Sequence, residues 1–105
     1  MTHELKIHPD YFDVVASNVK TFEIRENDRN YQVGDWLILK EWYRGKFTGR
    51  ELKRYVTYVY RGNGAFGLSE GYCVMSIVEI DLNSVVVNQN GNNCICITNA
   101  GTINL

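Results

Sequence analysis

Apolar residues recur at helical spacing in a single stretch of this 105-residue chain, and elsewhere they alternate. The helical stretch follows His8-Pro9, where Phe12, Val15, Ala16 and Val19 fall three and four residues apart. Pro9 suits the first helical position, and Asp10 and Asp13 suit the first turn, where the positive end of the helix favours acids. The spacing predicts one short helix ending near Ser17-Asn18. Before it, His3, Leu5 and Ile7 alternate with Glu4, Lys6 and His8, the period of a half-buried strand. After it the period returns to two, with Phe22 and Ile24 on one face and Thr21, Glu23 and Arg25 in a polar row on the other. Further strands are predicted over Trp36 to Trp42, Lys53 to Tyr60 and Tyr72 to Ile80, the last with Cys73, Met75 and Ile77 on one side. Glu26 to Asn30 is a polar connection and Val33-Gly34-Asp35 a turn. Arg44 to Lys46 with Thr48 to Arg50 marks a loop or hairpin end, and Gly62 to Gly67 another loop. The fold class is therefore mostly β (α+β), with Trp36 read as core.

A length of 105 residues fits one domain, and 45% hydrophobic residues with 22% charged supports a packed core rather than disorder. No apolar run approaches the roughly 18 residues that a membrane helix needs. The opening Met-Thr-His-Glu-Leu-Lys lacks the features of a secretory signal, and three cysteines fit a reducing compartment, so a cytoplasmic protein with no membrane partner is expected. The net charge of -1 conceals an uneven distribution. Residues 1–35 carry 4 basic and 7 acidic groups, residues 36–61 carry 7 and 2, and residues 62–105 carry 0 and 3. The middle third is a basic island that an anionic ligand would meet first, or else the solvated face of a strand pair and its loop.

Residues 83–105 contain no charged side chain. Val85 to Val87 and Cys94 to Thr98 flank the turn-rich Asn88 to Asn93, the pattern of a hairpin. An uncharged hairpin must dock on the body or on another copy of the chain if it is not to aggregate. Both arrangements, the second a homodimer, stay open. The expected division is a domain over 1–82 and a C-terminal hairpin extension over 83–105.

Several motifs are excluded. The glycines of 62–67 precede a strand and lack a following Lys-Ser/Thr, so they form a loop rather than a phosphate cradle. His3 and His8 point to opposite strand faces and no Cys-x-x-Cys pair accompanies Cys73, Cys94 and Cys96, so no metal or other cofactor is expected. The informative segment is Asn18 to Arg25, which brings together a cation, a carboxylate and a guanidinium. Lys20 can meet phosphate as a point charge, Glu23 can accept from a base amino group, and Arg25 can grip phosphate or hold Glu23. The plainer alternative is an exposed Glu-Arg pair of little consequence.

The pattern Gly-x-Lys-x-x-Glu-x-Arg, met by Lys20, Glu23 and Arg25 with Asn18 in the glycine place, resembles the motif of the ASCH branch of the PUA-like superfamily. The opening His3 to Phe12, then Asn27-Asp28-Arg29, Val33-Gly34-Asp35 and Tyr43 to Arg50, is similar to a small ASCH-like group of bacteria and their phages. The resemblance covers residues 3 to about 80 and implies a curved PUA-like β-barrel with the helix across one opening. It further implies that RNA or a nucleotide binds in a cleft between that helix and the strand after it. On this reading Lys20, Glu23 and Arg25 bind nucleic acid, and Lys6, His8 and Arg29 line the same mouth. Trp42, Tyr43 or Tyr58 then stacks on an unpaired base. Asn18 departs mildly from the pattern, because Asn tolerates left-handed backbone better than other non-glycine residues.

Two alternatives stand beside RNA binding. Small ASCH relatives hydrolyse the acetyl amide of acetylated cytidine with a Lys followed three residues later by a hydroxyl nucleophile. Here Glu23 holds that place and the nearby hydroxyl, Thr21, is offset by a strand face. An amidohydrolase would instead use Glu23 as general base toward water and Lys20 as electrostatic stabiliser, with Thr21 beside them. The other alternative is a regulatory domain that recruits a protein partner through its edge strands or hairpin.

Overall fold

The computed structural model describes residues 1–80, together with the backbone of short strands at 86–87, 95–98 and 102–104. The order of elements is β1 (Thr2–Ile7), α1 (Pro9–Ala16), β2 (Phe22–Glu26), β3 (Trp36–Tyr43), β4 (Lys46–Arg61) and β5 (Tyr72–Val78). These strands form one sheet in the order β1-β3-β4-β5-β2, with β1 parallel to β3 and every other pair antiparallel. The mostly β class with a single short α-helix among the described residues, besides a 3-10 turn at Ala65–Gly67, is as the sequence predicts.

The sheet is curled into a half-barrel. β1 and β2 are its two edges, yet the Arg25 guanidinium on β2 donates through Nη2 to the Lys6 carbonyl on β1 at 2.8 Å. Arg29, just beyond β2, donates through Nη1 to the Glu4 carbonyl at 2.9 Å. Alternate carbonyls of a strand point to the same side, so Glu4 and Lys6 both present their carbonyls toward β2, and two arginine side chains meet them there. The edges face each other across a seam bridged by side chains rather than by a ladder.

The concave face holds the core. Leu5 and Ile7 of β1, Leu37 and Leu39 of β3, Val56 and Val59 of β4, and Cys73, Met75 and Ile77 of β5 are all buried there, with Phe12 and Val15 of α1 laid over them. The alternation read from β1 and β5 is thus borne out. Tyr31 is 1% exposed although it follows the polar connection. Its backbone N–H bonds the Asn27 side chain and its ring meets the His3 ring edge-on at 4.8 Å, which fixes the connection against the core.

Trp36 is not core. It faces outward, half-buried, between an edge contact to Tyr55 at 5.1 Å and the Lys53 ammonium 4.7 Å above the ring. Thr48 to Arg50 likewise differs from expectation, because it lies inside β4 rather than in a loop. The hairpin turn is the two residues Arg44 and Gly45, both with positive φ, as a tight turn matched to strand twist requires. Lys40 then pairs with Glu51 while Trp42 pairs with Phe47, so Glu41 faces an enlarged bulge of three residues. Gly62 owes its identity to packing, since a Cβ there would collide with the Ser69 carbonyl oxygen.

Beyond β5 the described backbone pieces are β6 (Val86–Val87), β7 (Ile95–Thr98) and β8 (Thr102–Asn104), which pair in that order as a separate antiparallel set. The turn expected at Asn88 to Asn93 and the docking of this region lie outside the described residues. Among the described residues no helix is long and apolar enough to cross a membrane.

Candidate nucleic-acid interface

The helix is a device for delivering Lys20 to the seam. At its start His8 is the N-cap, with the Asp10 N–H donating to His8 Nδ1 at 3.1 Å. At its end Asn18 adopts φ 60, and the N–H groups of Asn18 and Val19 bond the carbonyls of Val15 and Val14 at 3.0 Å each. This crossed pair is the Schellman arrangement, which needs a left-handed residue at the place Asn18 holds. The Lys20 N–H returns to the Val14 carbonyl as well, at 2.9 Å. No basic residue of α1 lies in its last turn, and Arg54 of β4 serves instead, buried and donating to the Val15 carbonyl at 3.1 Å. Burial pushes the Arg54 guanidinium below its ordinary pKa, with the Glu79 carboxylate opposing.

Glu23 lies at the centre of the site. Its residue is 4% exposed, Lys20 Nζ donates to Oε1 at 2.9 Å and Arg25 Nε to Oε2 at 3.0 Å. Lys20 also donates to the Phe22 carbonyl at 2.7 Å and sits 4.8 Å from the Phe22 ring centre. Arg25 divides its donors between Glu23 and the Lys6 carbonyl, while its Nη1 takes no partner among the described residues. The exposed Glu-Arg pair considered from sequence is therefore a buried carboxylate clamped by two cations. Each Glu23 oxygen keeps a second lone pair.

These groups form the floor of a cleft of about 510 Å³ at the upper end of the seam. One wall is Lys6, Ile7, His8 and Tyr11, and the other runs from Lys20 through Phe22 and Ile24 to Arg25. Two cations, Lys20 and Arg25, thus meet one carboxylate, and Lys6 lines the cleft with its ammonium over the neighbouring Trp42 ring, a local surplus of positive charge suited to an anion. Tyr11 is 54% exposed and Phe22 42%, so aromatic surface is available beside the charges.

The expected residues are only partly gathered. Lys20, Glu23, Arg25, Lys6 and His8 share the cleft, whereas Arg29 lines an adjoining one. Trp42 lines neither cleft: the Lys6 ammonium covers its ring at 4.0 Å and Phe47 meets it edge-on at 4.7 Å. Tyr43 stands 6.1 Å from His8 at the rim, and Tyr58 is exposed on the convex face away from both clefts. Thr21 precedes β2, is exposed, and is absent from the cleft lining; its carbonyl accepts from Ile77 N–H at 3.0 Å. Tyr11 and Phe22 went unassigned from sequence, because helical and strand periodicity cannot show which residues flank a seam.

A second buried carboxylate supports the helix from the other side. Arg50 donates to Glu41 through Nε at 3.0 Å and Nη2 at 2.6 Å, Thr48 Oγ1 donates at 2.6 Å, and Arg50 also reaches Asp13 of α1 at 3.2 Å. The hydrogen bonds from Arg50 and then Thr48 hold the Glu41 pKa down at about 2, against the cost of burial. The enlarged bulge is what lets Thr48 and Arg50 reach the same carboxylate. His3 and Asp35 form a third buried pair, Nε2 donating to Oδ2 at 2.8 Å, which accounts for His3 structurally.

Residues 2–77 match the family described as "Domain of unknown function (DUF3850)". A stretch of 55 residues is 51% identical to an uncharacterized 12.9 kDa protein in the GpA 3' region of Escherichia phage P2, covering 52% of this chain and 50% of that protein. The chain thus spans about half the length of this curated relative.

Proposed function

We propose that this chain, which belongs to the DUF3850 family, is an RNA-binding module of the ASCH/PUA-like kind that takes an unpaired nucleotide in the cleft between α1 and β2. The observation that carries this reading is the buried Glu23 carboxylate, clamped by Lys20 and Arg25 at the floor of a cleft with surplus positive charge and aromatic walls. Unpaired bases are recognised by stacking and by hydrogen bonds to their edges, with cations on the phosphate. Glu23 offers acceptors to a base amino group, Lys20 and Lys6 attract phosphate, and Tyr11 or Phe22 supplies the stacking surface. The basic residues of β3 and β4 add long-range attraction. Residues 1–82 form the binding domain on this reading, and 83–105 a hairpin extension that docks on it or joins two copies.

The amide-hydrolysis alternative draws less support from the geometry. Thr21 is exposed and outside the cleft.

Titration of labelled single-stranded RNA, structured RNA and matched DNA at two salt concentrations tests the proposal, with Lys20→Ala alongside. Saturable binding that weakens with salt and falls at least tenfold in the variant is the expected result. Absence of binding, or binding indifferent to Lys20, sinks it.

A further inference from the structure

The seam does not end at the first cleft. A second one, of about 480 Å³, continues along it toward the start of β1, and the two share Lys6 and Arg25 in their linings. Each is of a size to hold a nucleoside-sized group. The second cleft carries Arg29, Lys40 and the ring of Phe47, which is 51% exposed, together with Glu26 and Asp28. Lys40 is paired with Glu4 at 2.6 Å, so the charge there is nearly balanced, in contrast to the cationic first cleft.

We infer that the two clefts are one groove that takes two consecutive nucleotides of an extended single strand, with the linking phosphate seated at the shared boundary over Lys6 and Arg25. This deepens the RNA-binding proposal and rests on it. The boundary is the natural phosphate position, because Arg25 and Lys6 are common to both clefts while Glu26 and Asp28 make the interior of the second unfavourable for an anion. Those carboxylates instead accept from the hydroxyl or amino groups of a nucleoside, and Phe47 gives its base a surface to stack on. The spacing agrees. Arg25 and Arg29 reach carbonyls two residues apart on β1, about 6.6 Å along the strand, of the order of the separation between phosphates of an extended chain. Arg29, lining the second cleft, is thus placed one nucleotide step from Arg25, beside the sugar and base edge of the second nucleoside.

The test compares adenosine and cytidine 5′-monophosphates with the corresponding ribo-dinucleotides and tetranucleotides by calorimetric titration. The expected result is a gain of at least tenfold from mononucleotide to dinucleotide. Phe47→Ala and Arg29→Ala, two exposed positions, are each expected to reduce that gain to about twofold. Equal affinity for the mononucleotide and the oligomers, with both still sensitive to Lys20→Ala, overturns the two-nucleotide groove and leaves the first cleft standing. A length gain that survives both variants also overturns it, since the added nucleotide then lies elsewhere. No binding of any of these probes removes the RNA-binding reading and the groove together.

Discussion

Arg25 Nη2 donates to the Lys6 carbonyl oxygen at 2.8 Å, joining the two edges of a sheet in which β1 and β2 are first and last. An unpaired strand edge invites association with another chain, and guanidinium groups occupying its carbonyls discourage that. The same side chain holds Glu23 in place through Nε. Arg25 is thus at once a latch of the half-barrel and part of the proposed binding floor.

Lysine cannot reproduce that forked geometry. Arg25→Lys is expected to lower unfolding free energy by about 1 kcal/mol, the net contribution of one hydrogen bond, and to weaken RNA binding. Lys20→Ala, which leaves the latch intact, should weaken binding with the smaller loss of stability. Urea denaturation of the two variants beside their binding isotherms checks the contrast; equal stability losses would contradict the latch.

Neutralising Glu23 separates attraction from recognition. Glu23→Gln removes the negative charge between Lys20 and Arg25, so general affinity for single-stranded nucleic acid should rise and its salt dependence steepen by about 0.7, the slope per phosphate for single strands. Preference for adenine and cytosine, which carry amino donors, over uracil should shrink. Salt-series anisotropy on homopolymers of the three bases reads both effects. A Glu23→Gln protein that kept its base preference would show that Glu23 does not read the base.

Much of this was legible in the sequence. Period-two alternation located β1 and β5 with their buried faces, and Pro9 with the Phe12–Val15 spacing located the helix. The Lys20-Glu23-Arg25 cluster was legible because strand geometry turns residues 23 and 25 to one side. What alternation could not show is which side is inside. On β2 the polar row faces the seam and Glu23 is buried, while Ile24 is 53% exposed. Hydrophobicity assigns faces only where one side of a strand packs on an apolar core and the other meets solvent, and at the seam β2 buries a carboxylate instead. Trp36 was misplaced for a related reason, since a large ring also packs well outside, under a lysine. Tyr31 and the Glu41-Arg50-Thr48 cluster depend on contacts between residues in irregular positions, a bulge and a connection, for which no period exists.

Asn18 is predicted to be a conformational position, not a chemical one. With φ 60 it closes the Schellman arrangement that releases the chain toward Lys20. Among the described residues its side chain makes one hydrogen bond, a long 3.4 Å one to Glu79. Asn18→Gly should therefore keep stability and binding, whereas Asn18→Val, forced into left-handed backbone, should cost about 1–2 kcal/mol. Thermal unfolding of the two variants distinguishes them, and equal losses would place the role of Asn18 in its side chain.

Acid should loosen the support beneath the helix before it unfolds the chain for other reasons. Glu41 has its pKa lowered from 4.5 to about 2, first by hydrogen bonds from Arg50 and next by Thr48. The unfolded chain therefore takes up this proton at a higher pH than the folded one. The stabilisation is complete well above pH 4.5 and is lost as pH falls through the interval from about 4.5 to about 2. Because Arg50 also reaches Asp13, its release would free α1 from the β3–β4 hairpin. Glu41→Gln should lower stability at pH 7 and flatten its decline across that acidic interval, and chemical denaturation at a series of pH values measures both. If the variant kept the full acid sensitivity of the parent, the titrating group would have to be another carboxylate, and Asp35, which accepts from His3 and from the Gln32 N–H, would be the one to substitute next.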